Sequence, residues 1–376
     1  MFGKIAKRIY ELPAPSDRFQ SMDGLRAYAA FLVFLVHYFD SYANNRLGVD
    51  PNMLRLGQID EPLTAVVYYL FASHYGVDIF FFLSGFLIFR IVTNTNFSYG
   101  AFIVQRILRI YPAVFVSILI WAYIRIGYQQ WFDFDVSQFV GNLLFLNAVP
   151  PLGVQPYNAV TWTLFYEFLF YVTLPVMLLL RLDNAKPGAV HVIIGAMLVY
   201  WLSEQLGHNT IRFLMFFGGA LMACFSTATM QRLEKYVPEI MVICLYLGST
   251  FFFAMQLSYQ YFIPLFLVTT FLLVLKVIHG NGVLNRLFSL TPLRYMGNIS
   301  YSFYLMHGLG LQIVVYSNVF AQLTGVVYFA LTFILSLLLS ILLSTVLFLL
   351  TEKPYFTRKH RQKRALKPLR VVAHNT

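Results

Sequence analysis

Stretches of about 20 consecutive apolar residues recur along this chain, and each is long enough as a helix to cross a hydrocarbon core of about 30 Å. In such a core the backbone polar groups find no water, and a helix satisfies them within its own segment. Ten spans are expected, at 25–44, 76–94, 110–129, 160–180, 188–206, 211–227, 238–256, 258–279, 299–319 and 326–350. A further apolar stretch at 63–72 is too short to cross and reads as interfacial or re-entrant. Only 11% of the 376 residues are charged, against about a quarter in a soluble domain. The expected fold is all-α: a polytopic integral membrane helix bundle of about ten transmembrane helices, with no room for a sizeable soluble domain.

The net charge of +11 is distributed unevenly. With the N-terminus inside, one side of the membrane receives Lys4, Lys7, Arg8, Arg18, Arg106, Arg109, Arg181, Lys186, Arg232, Lys235, Arg286, Arg294 and the tail "EKPYFTRKHRQKRALKPLR"; the other receives little beyond Arg46, Arg55, Arg125 and Arg212. By the rule for cytoplasmic positive charge, both termini are expected in the cytoplasm. The expected organisation is a cytoplasmic segment at 1–24, a membrane domain at 25–355 and a basic cytoplasmic tail at 356–376 attracted to anionic lipid. The first 20 residues lack the features of a signal peptide. No soluble basic module is present, so nucleic acid is not an expected partner. Cys224 and Cys244 both fall inside apolar spans, which argues against a disulfide framework or a thiolate metal site. The long loops at 45–75 and 130–159 face outward on this topology; the second is rich in aromatics, Asn, Gly and Pro, a composition that suits either glycan stacking or an interfacial belt.

Ionisable groups inside spans are costly and mark candidate sites. Arg26 and His37 lie eleven residues apart, which returns to within about 20° of the same helix face, about 16 Å further along the axis. Counted from Arg90 and Arg181, Asp78 and Glu167 fall at a depth comparable to His37, and His307 does so if its helix is continuous from Arg294. Two histidines and two carboxylates at mid-depth are the ingredients of general acid–base chemistry; separate helix–helix hydrogen bonds are the structural alternative. Arg106 and Arg109 are neighbours on a helix surface, and with Arg26 and Arg90 they could hold phosphates by forked hydrogen bonds or simply flank the spans. The stretch "FLSGF" lacks the lysine and glycine spacing of a phosphate-binding loop, and no metal-ligand cluster is evident.

Six motifs in order resemble those of the membrane-bound acyltransferase family 3: Arg26 and His37 with ten residues between, "GVDIFFFLSGFLI" at 76–88, "FIVQRILRIYP" at 102–112, "WTLFYEFLFY" at 162–171, "GNISYSFYLMH" at 297–307 and "EKP" at 352–354. The resemblance implies a bacterial inner-membrane O-acyltransferase that moves an acyl group, usually acetyl, from cytoplasmic acyl-CoA to a hydroxyl of an envelope or secreted glycan, without a metal. It assigns catalysis to His37, Asp78 and Glu167, with either carboxylate behind the histidine, and donor binding to Arg26, Arg106 and Arg109. Ser84, His307 and Arg90 follow as accessory positions, and Glu352 as structural. Some relatives carry a fused periplasmic hydrolase-like domain of the SGNH type. Only 22 residues follow "EKP", so the chain is expected to act without one, alone, as a homo-oligomer or with a separate periplasmic partner. His37 would serve as general base or as transient acyl carrier. The competing function is a glycolipid or polysaccharide transporter using the buried groups as a proton relay, which predicts internal symmetry and paired broken spans.

Overall fold

The computed structural model describes residues 2–13, 19–48, 50, 62–71, 75–93, 97–128, 134–179, 189–206, 208–255 and 258–359, and among these it is helical with no strand. In chain order the helices are α1 Phe2–Tyr10, α2 Gln20–Tyr42, α3 Pro62–Phe71, α4 Tyr75–Val92, α5 Tyr99–Ala122, α6 Val136–Leu143, α7 Trp162–Leu179, α8 Ala189–Leu206 and α9 His208–Ile211. They continue with α10 Leu214–Cys224, α11 Thr227–Tyr236, α12 Glu239–Ala254, α13 Tyr259–His279, α14 Val283–Phe288, α15 Thr291–Asn298, α16 Ser300–Val315 and α17 Gly325–Leu350. The tail beyond 359 and residues 51–61 and 72–74, which fall within the expected 45–75 loop, lie outside the described residues.

Four helical stretches are long and apolar enough to cross a membrane: Ala65–Val92, which brackets 72–74, Tyr99–Gly127, Gln260–His279 and Gly325–Leu350. A fifth counts if Leu214–Cys224 and Thr227–Tyr236, bent by 105° at their junction, form one broken span. The expected ten are therefore corrected to four, or up to five, among the described residues. The physical reasons differ from stretch to stretch. At 16 residues each, α12 and α16 reach only about 24 Å, short of the hydrocarbon thickness. Although α2 has 23 residues, Asp23, Arg26, His37 and Asp40 dilute its apolar content. The run at 211–227 is apolar only over the 11 residues of α10. Four crossings keep the two termini on one side of the membrane, as ten would, whereas five put them on opposite sides. The protein remains membrane-embedded and multi-pass.

Small residues set how closely the helices around α2 and α4 approach. A Cβ at Gly85 of α4 would lie 2.0 Å from the Phe216 carbonyl oxygen of α10, and one at Gly219 of α10 would lie 1.9 Å from the Phe82 carbonyl oxygen. No side chain larger than hydrogen fits at either position. The same contact recurs at α2: a Cβ at Gly24 would meet the Phe288 oxygen at 2.0 Å, and one at Gly297 would meet the Asp23 oxygen at 1.8 Å. This second crossing seats the Arg26 turn of α2 against α14 and α15.

Polar side chains complete the ends of the helices. Glu352 is 1% exposed and accepts hydrogen bonds from the Ser302 N–H at 3.1 Å and the Ser302 hydroxyl at 2.5 Å, satisfying a donor at the start of α16 from the far end of the chain. Lys353 donates to the carbonyls of Arg8 and Ile9 at the end of α1, where a cation complements the helix dipole. Leu12, Ile299 and Phe348 bury together beneath that contact.

Candidate functional site

The first cavity, of about 140 Å³, lies between α2, α4, α5, α7 and α16. Arg26, Arg106 and Arg109 line one end of it, Ser84, Glu167 and Tyr171 its middle, and Thr163 and Tyr304 its far end. Glu167 collects two donors on one oxygen: the Tyr171 hydroxyl at 2.5 Å and the Ser84 hydroxyl at 3.3 Å. Arg106 stacks over Phe102 and Tyr171, its guanidinium carbon 5.1 and 5.5 Å from the ring centroids, contacts that hold the planar group in place. A wider cavity of about 780 Å³ opens beyond the arginines and shares Arg26, Arg106 and Arg109 with the first. Arg90 lines this outer part, 5.4 Å from the Phe19 ring centroid, as does Lys359. Five cations thus converge on one mouth, with the carboxylates of Asp23 and Glu352 in the same lining.

His37 lies in a separate cavity of about 280 Å³, together with His307. The His307 side chain is buried, and its Nδ1 lies 2.8 Å from the Tyr304 carbonyl oxygen and 3.2 Å from that of Phe303. A carbonyl oxygen only accepts, so Nδ1 carries the hydrogen and Nε2 holds the lone pair; Nε2 has no protein partner. The carboxylate within ion-pairing distance of His37 Nδ1 is that of Asp40, at 3.9 Å and three residues further along the same helix.

A thin partition separates the two cavities. The Tyr304 hydroxyl donates to the Val160 carbonyl oxygen at 2.9 Å and shares a hydrogen bond of 2.9 Å with Thr163 Oγ1. Around it Val33, Val160 and Tyr304 form a small apolar cluster of their own, with Val77 and Phe80 packed against it. Tyr304 and Thr163 face the arginine side, and Val160 faces the histidine side.

The expected residues therefore fall into three places. Arg26, Arg106, Arg109, Ser84 and Glu167 share the first cavity, Arg90 stands at its mouth, and His37 and His307 share the second. Asp78 joins neither. It is fully buried and bonded by Arg212 Nη1 at 2.7 Å, with both side chains at 5% exposure or less. Counting from Arg90 placed Asp78 at the depth of His37, but depth along one helix does not fix which neighbour the side chain faces. Arg212 was assigned to an outer loop by charge counting, and nothing in its sequence surroundings signals burial. Asp40 was legible in principle, since a carboxylate three residues from a histidine shares its helix face. The loop at 130–159 also contributes walls. Asn142 bonds the Tyr157 N–H at 2.8 Å and the Gln155 carbonyl at 2.8 Å, and Arg125 Nε donates to the Tyr157 carbonyl at 2.6 Å. Asn158 then pins the loop to α5 and α16 through Ser117 Oγ at 2.8 Å and the Leu305 carbonyl at 3.0 Å. Among the described residues no group of three or more His, Cys, Asp or Glu side chains is placed to hold a metal ion.

A family model described as an acyltransferase domain, Acyl_transf_3, matches residues 19–345. The chain is 30% identical to Nodulation protein 10 of Rhizobium leguminosarum bv. viciae over 57% of this chain and 59% of that protein. It is 24% identical to the peptidoglycan O-acetyltransferase OatA of Listeria monocytogenes and 26% identical to the putative peptidoglycan O-acetyltransferase YrhL of Bacillus subtilis. Each of these two matches covers 76% of this chain, and 48% and 47% of the respective relative. The chain thus spans about half the length of the curated relatives it matches. No solved structure matches.

Proposed function

The chain belongs to the Acyl_transf_3 family of acyltransferase domains, and from that premise we propose that it transfers an acetyl group from cytoplasmic acetyl-CoA to a hydroxyl of an envelope or secreted glycan in the bacterial inner membrane. The observation that carries this reading is the placing of an arginine-lined cavity and a histidine-lined cavity on opposite sides of the hydrogen-bonded Tyr304 and Val160. Guanidinium groups suit the phosphates of a coenzyme, and a neutral imidazole suits the proton of an alcohol. Arg106, Arg109 and Arg26 hold the phosphates, with Arg90 at the mouth, and the pantetheine arm runs past Ser84 and Glu167 toward Tyr304. Glu167, fixed by Tyr171 and Ser84, lines the route rather than backing His37.

His37 takes the proton of the acceptor hydroxyl as its oxygen bonds to the thioester carbon. The carbon–sulfur bond then breaks, and the coenzyme thiolate receives that proton from the imidazolium. Transfer through an acyl-imidazole on His37 runs in two steps: the thioester carbon bonds to the ring nitrogen and the thiolate leaves, then the alcohol gives its proton to His307 Nε2, bonds to the acyl carbon and displaces the ring, and that proton passes on to the thiolate. Asp40, 3.9 Å from His37 Nδ1, is the carboxylate near the histidine in place of Asp78, and His307 Nε2 offers a second proton acceptor beside it.

The test incubates membranes containing the full chain with acetyl-labelled acetyl-CoA and follows label into extracted glycan. Label in ester linkage to glycan, released by mild base, is the expected result. A well-expressed protein that leaves glycan unlabelled while moving a glycolipid between leaflets would replace this reading with a transporter.

A further inference from the structure

The two cavities differ in chemistry as well as position. The arginine side gathers Arg26, Arg90, Arg106, Arg109 and Lys359. The histidine side has Arg125 as its lysine or arginine, and that residue already donates to the Tyr157 carbonyl at 2.6 Å and lies over the Trp121 ring at 5.3 Å. Its remaining walls are neutral or aromatic: Trp121, Tyr316, Ser41, Gln312 and the two histidines. Two of these, Trp121 and His307, are buried and each carries a polar atom, the indole Nε1–H and the imidazole Nε2, with no protein partner. Both atoms are enclosed at the cavity wall, and a buried donor and a buried acceptor without a partner are costly unless a ligand that parts the wall completes them. An alcohol does so, donating to one and accepting from the other, and an indole face is a good platform for the apolar C–H face of a sugar ring.

Gly308 makes this arrangement sterically feasible. A Cβ there would lie 3.3 Å from the Trp121 ring, so the indole rests against α16 one residue after His307 because position 308 has no side chain.

We propose that the cavity walled by Trp121, His37, His307, Ser41, Gln312 and Tyr316 is the acceptor subsite, that it takes one uncharged sugar ring, and that Trp121 is a specificity-determining residue for it. This rests on the acetyl-transfer reading above and adds what the acceptor is and where it sits. The indole Nε1–H donates to a ring substituent, and the reacting hydroxyl lies beside the paired imidazoles, at the edge of His37. Cations are concentrated on one side: the polyanionic donor meets the arginines, and the neutral acceptor meets the aromatics.

The experiment uses the full chain in detergent micelles with labelled acetyl-CoA and a β-1,4-linked N-acetylglucosamine tetramer as acceptor probe. Trp121→Phe keeps a ring and removes the N–H. It is expected to raise the KM for the tetramer about tenfold and leave the KM for acetyl-CoA unchanged, in line with the loss of one buried hydrogen bond. Gly308→Ala, which pushes the indole without altering it, is expected to raise the same KM. Arg106→Gln is expected to do the reverse, raising only the KM for acetyl-CoA. If the wild type esterifies the tetramer and both Trp121→Phe and Gly308→Ala leave its KM unchanged, or if they shift the KM for acetyl-CoA instead, the subsite assignment is overturned. Label that reaches membrane glycan but never the neutral tetramer overturns the uncharged acceptor class. Label that reaches no glycan at all refutes the acetyl-transfer reading itself.

Discussion

His37 and His307 face each other across one cavity with ring centroids 5.2 Å apart and planes inclined by 31°. This pair, rather than a histidine with a mid-membrane carboxylate, is what the fold assembles behind Tyr304. His307 comes with its tautomer fixed by the carbonyls of Phe303 and Tyr304. Replacing His37 by Gln is expected to lower acetyl transfer by a factor of about 10² to 10⁴, the usual contribution of a positioned base. His307→Gln is expected to lose about tenfold or more, through the same proton route. Initial rates of label incorporation, normalised to protein in the membrane, measure both. Wild-type rates in His37→Gln at equal protein level would remove His37 from the chemistry.

Arg106 and Arg109 line both the inner cavity and its wide mouth. Substituting either by Gln is expected to raise the KM for acetyl-CoA about tenfold, the loss of one charge-assisted hydrogen bond, with little effect on kcat. Saturation curves in acetyl-CoA at fixed acceptor report this. A fall in kcat at unchanged KM would place the guanidinium groups at the transition state instead of on the phosphates.

Asp78 and Arg212 form a buried ion pair 2.7 Å long. Removing one partner leaves a buried charge uncompensated and is expected to cost about 3–5 kcal/mol, so Asp78→Ala and Arg212→Met should each lower the thermal midpoint and the yield of folded protein. The double replacement Asp78→Leu with Arg212→Met is expected to recover most of that stability. Thermal size-exclusion assays on solubilised protein make the comparison. If Asp78→Asn folds with wild-type stability yet transfers no acetyl group, the carboxylate belongs to the chemistry and not to the scaffold.

Glu352 supplies the acceptor for the Ser302 N–H and hydroxyl near the start of α16, the helix that carries Tyr304 and His307. Glu352→Ala is expected to cost about 1–2 kcal/mol, the scale of a lost helix cap, and to lower the thermal midpoint; Glu352→Gln should lose less. An unchanged midpoint in Glu352→Ala would show that the cap is redundant.

The helical character and the residue types of the site were legible in the sequence, whereas their partners were not. Apolar runs reveal helices, and Arg26 and His37 do share the one continuous helix α2, although they line different cavities. The number of crossings was misread because apolarity alone does not distinguish a full span from the 16-residue helices α12 and α16. Depth counting grouped Asp78 and Glu167 with His37, yet the first turned to Arg212 and the second to Tyr171 and Ser84. Which way a side chain faces depends on how helices rotate against each other, and that is set by contacts such as Gly24 on Phe288 and Gly297 on Asp23, remote in sequence. Trp121, Arg125 and Asn158 were passed over for the same reason: a loop had to fold back before they shared a cavity with His307.

The contact at Gly85 and Gly219 has a mechanical consequence. With backbone laid directly on backbone there, α4 and α10 have no compressible layer between them and must travel as one rigid jaw. Asp78, Ser84 and Arg90 all ride on that jaw, and the ion pair to Arg212, just ahead of α10, rivets its far end. Any widening that lets an acyl chain past Tyr304 therefore either moves α4 and α10 together or comes from the other walls, where α7 presents Thr163 and Glu167 and α16 presents Tyr304.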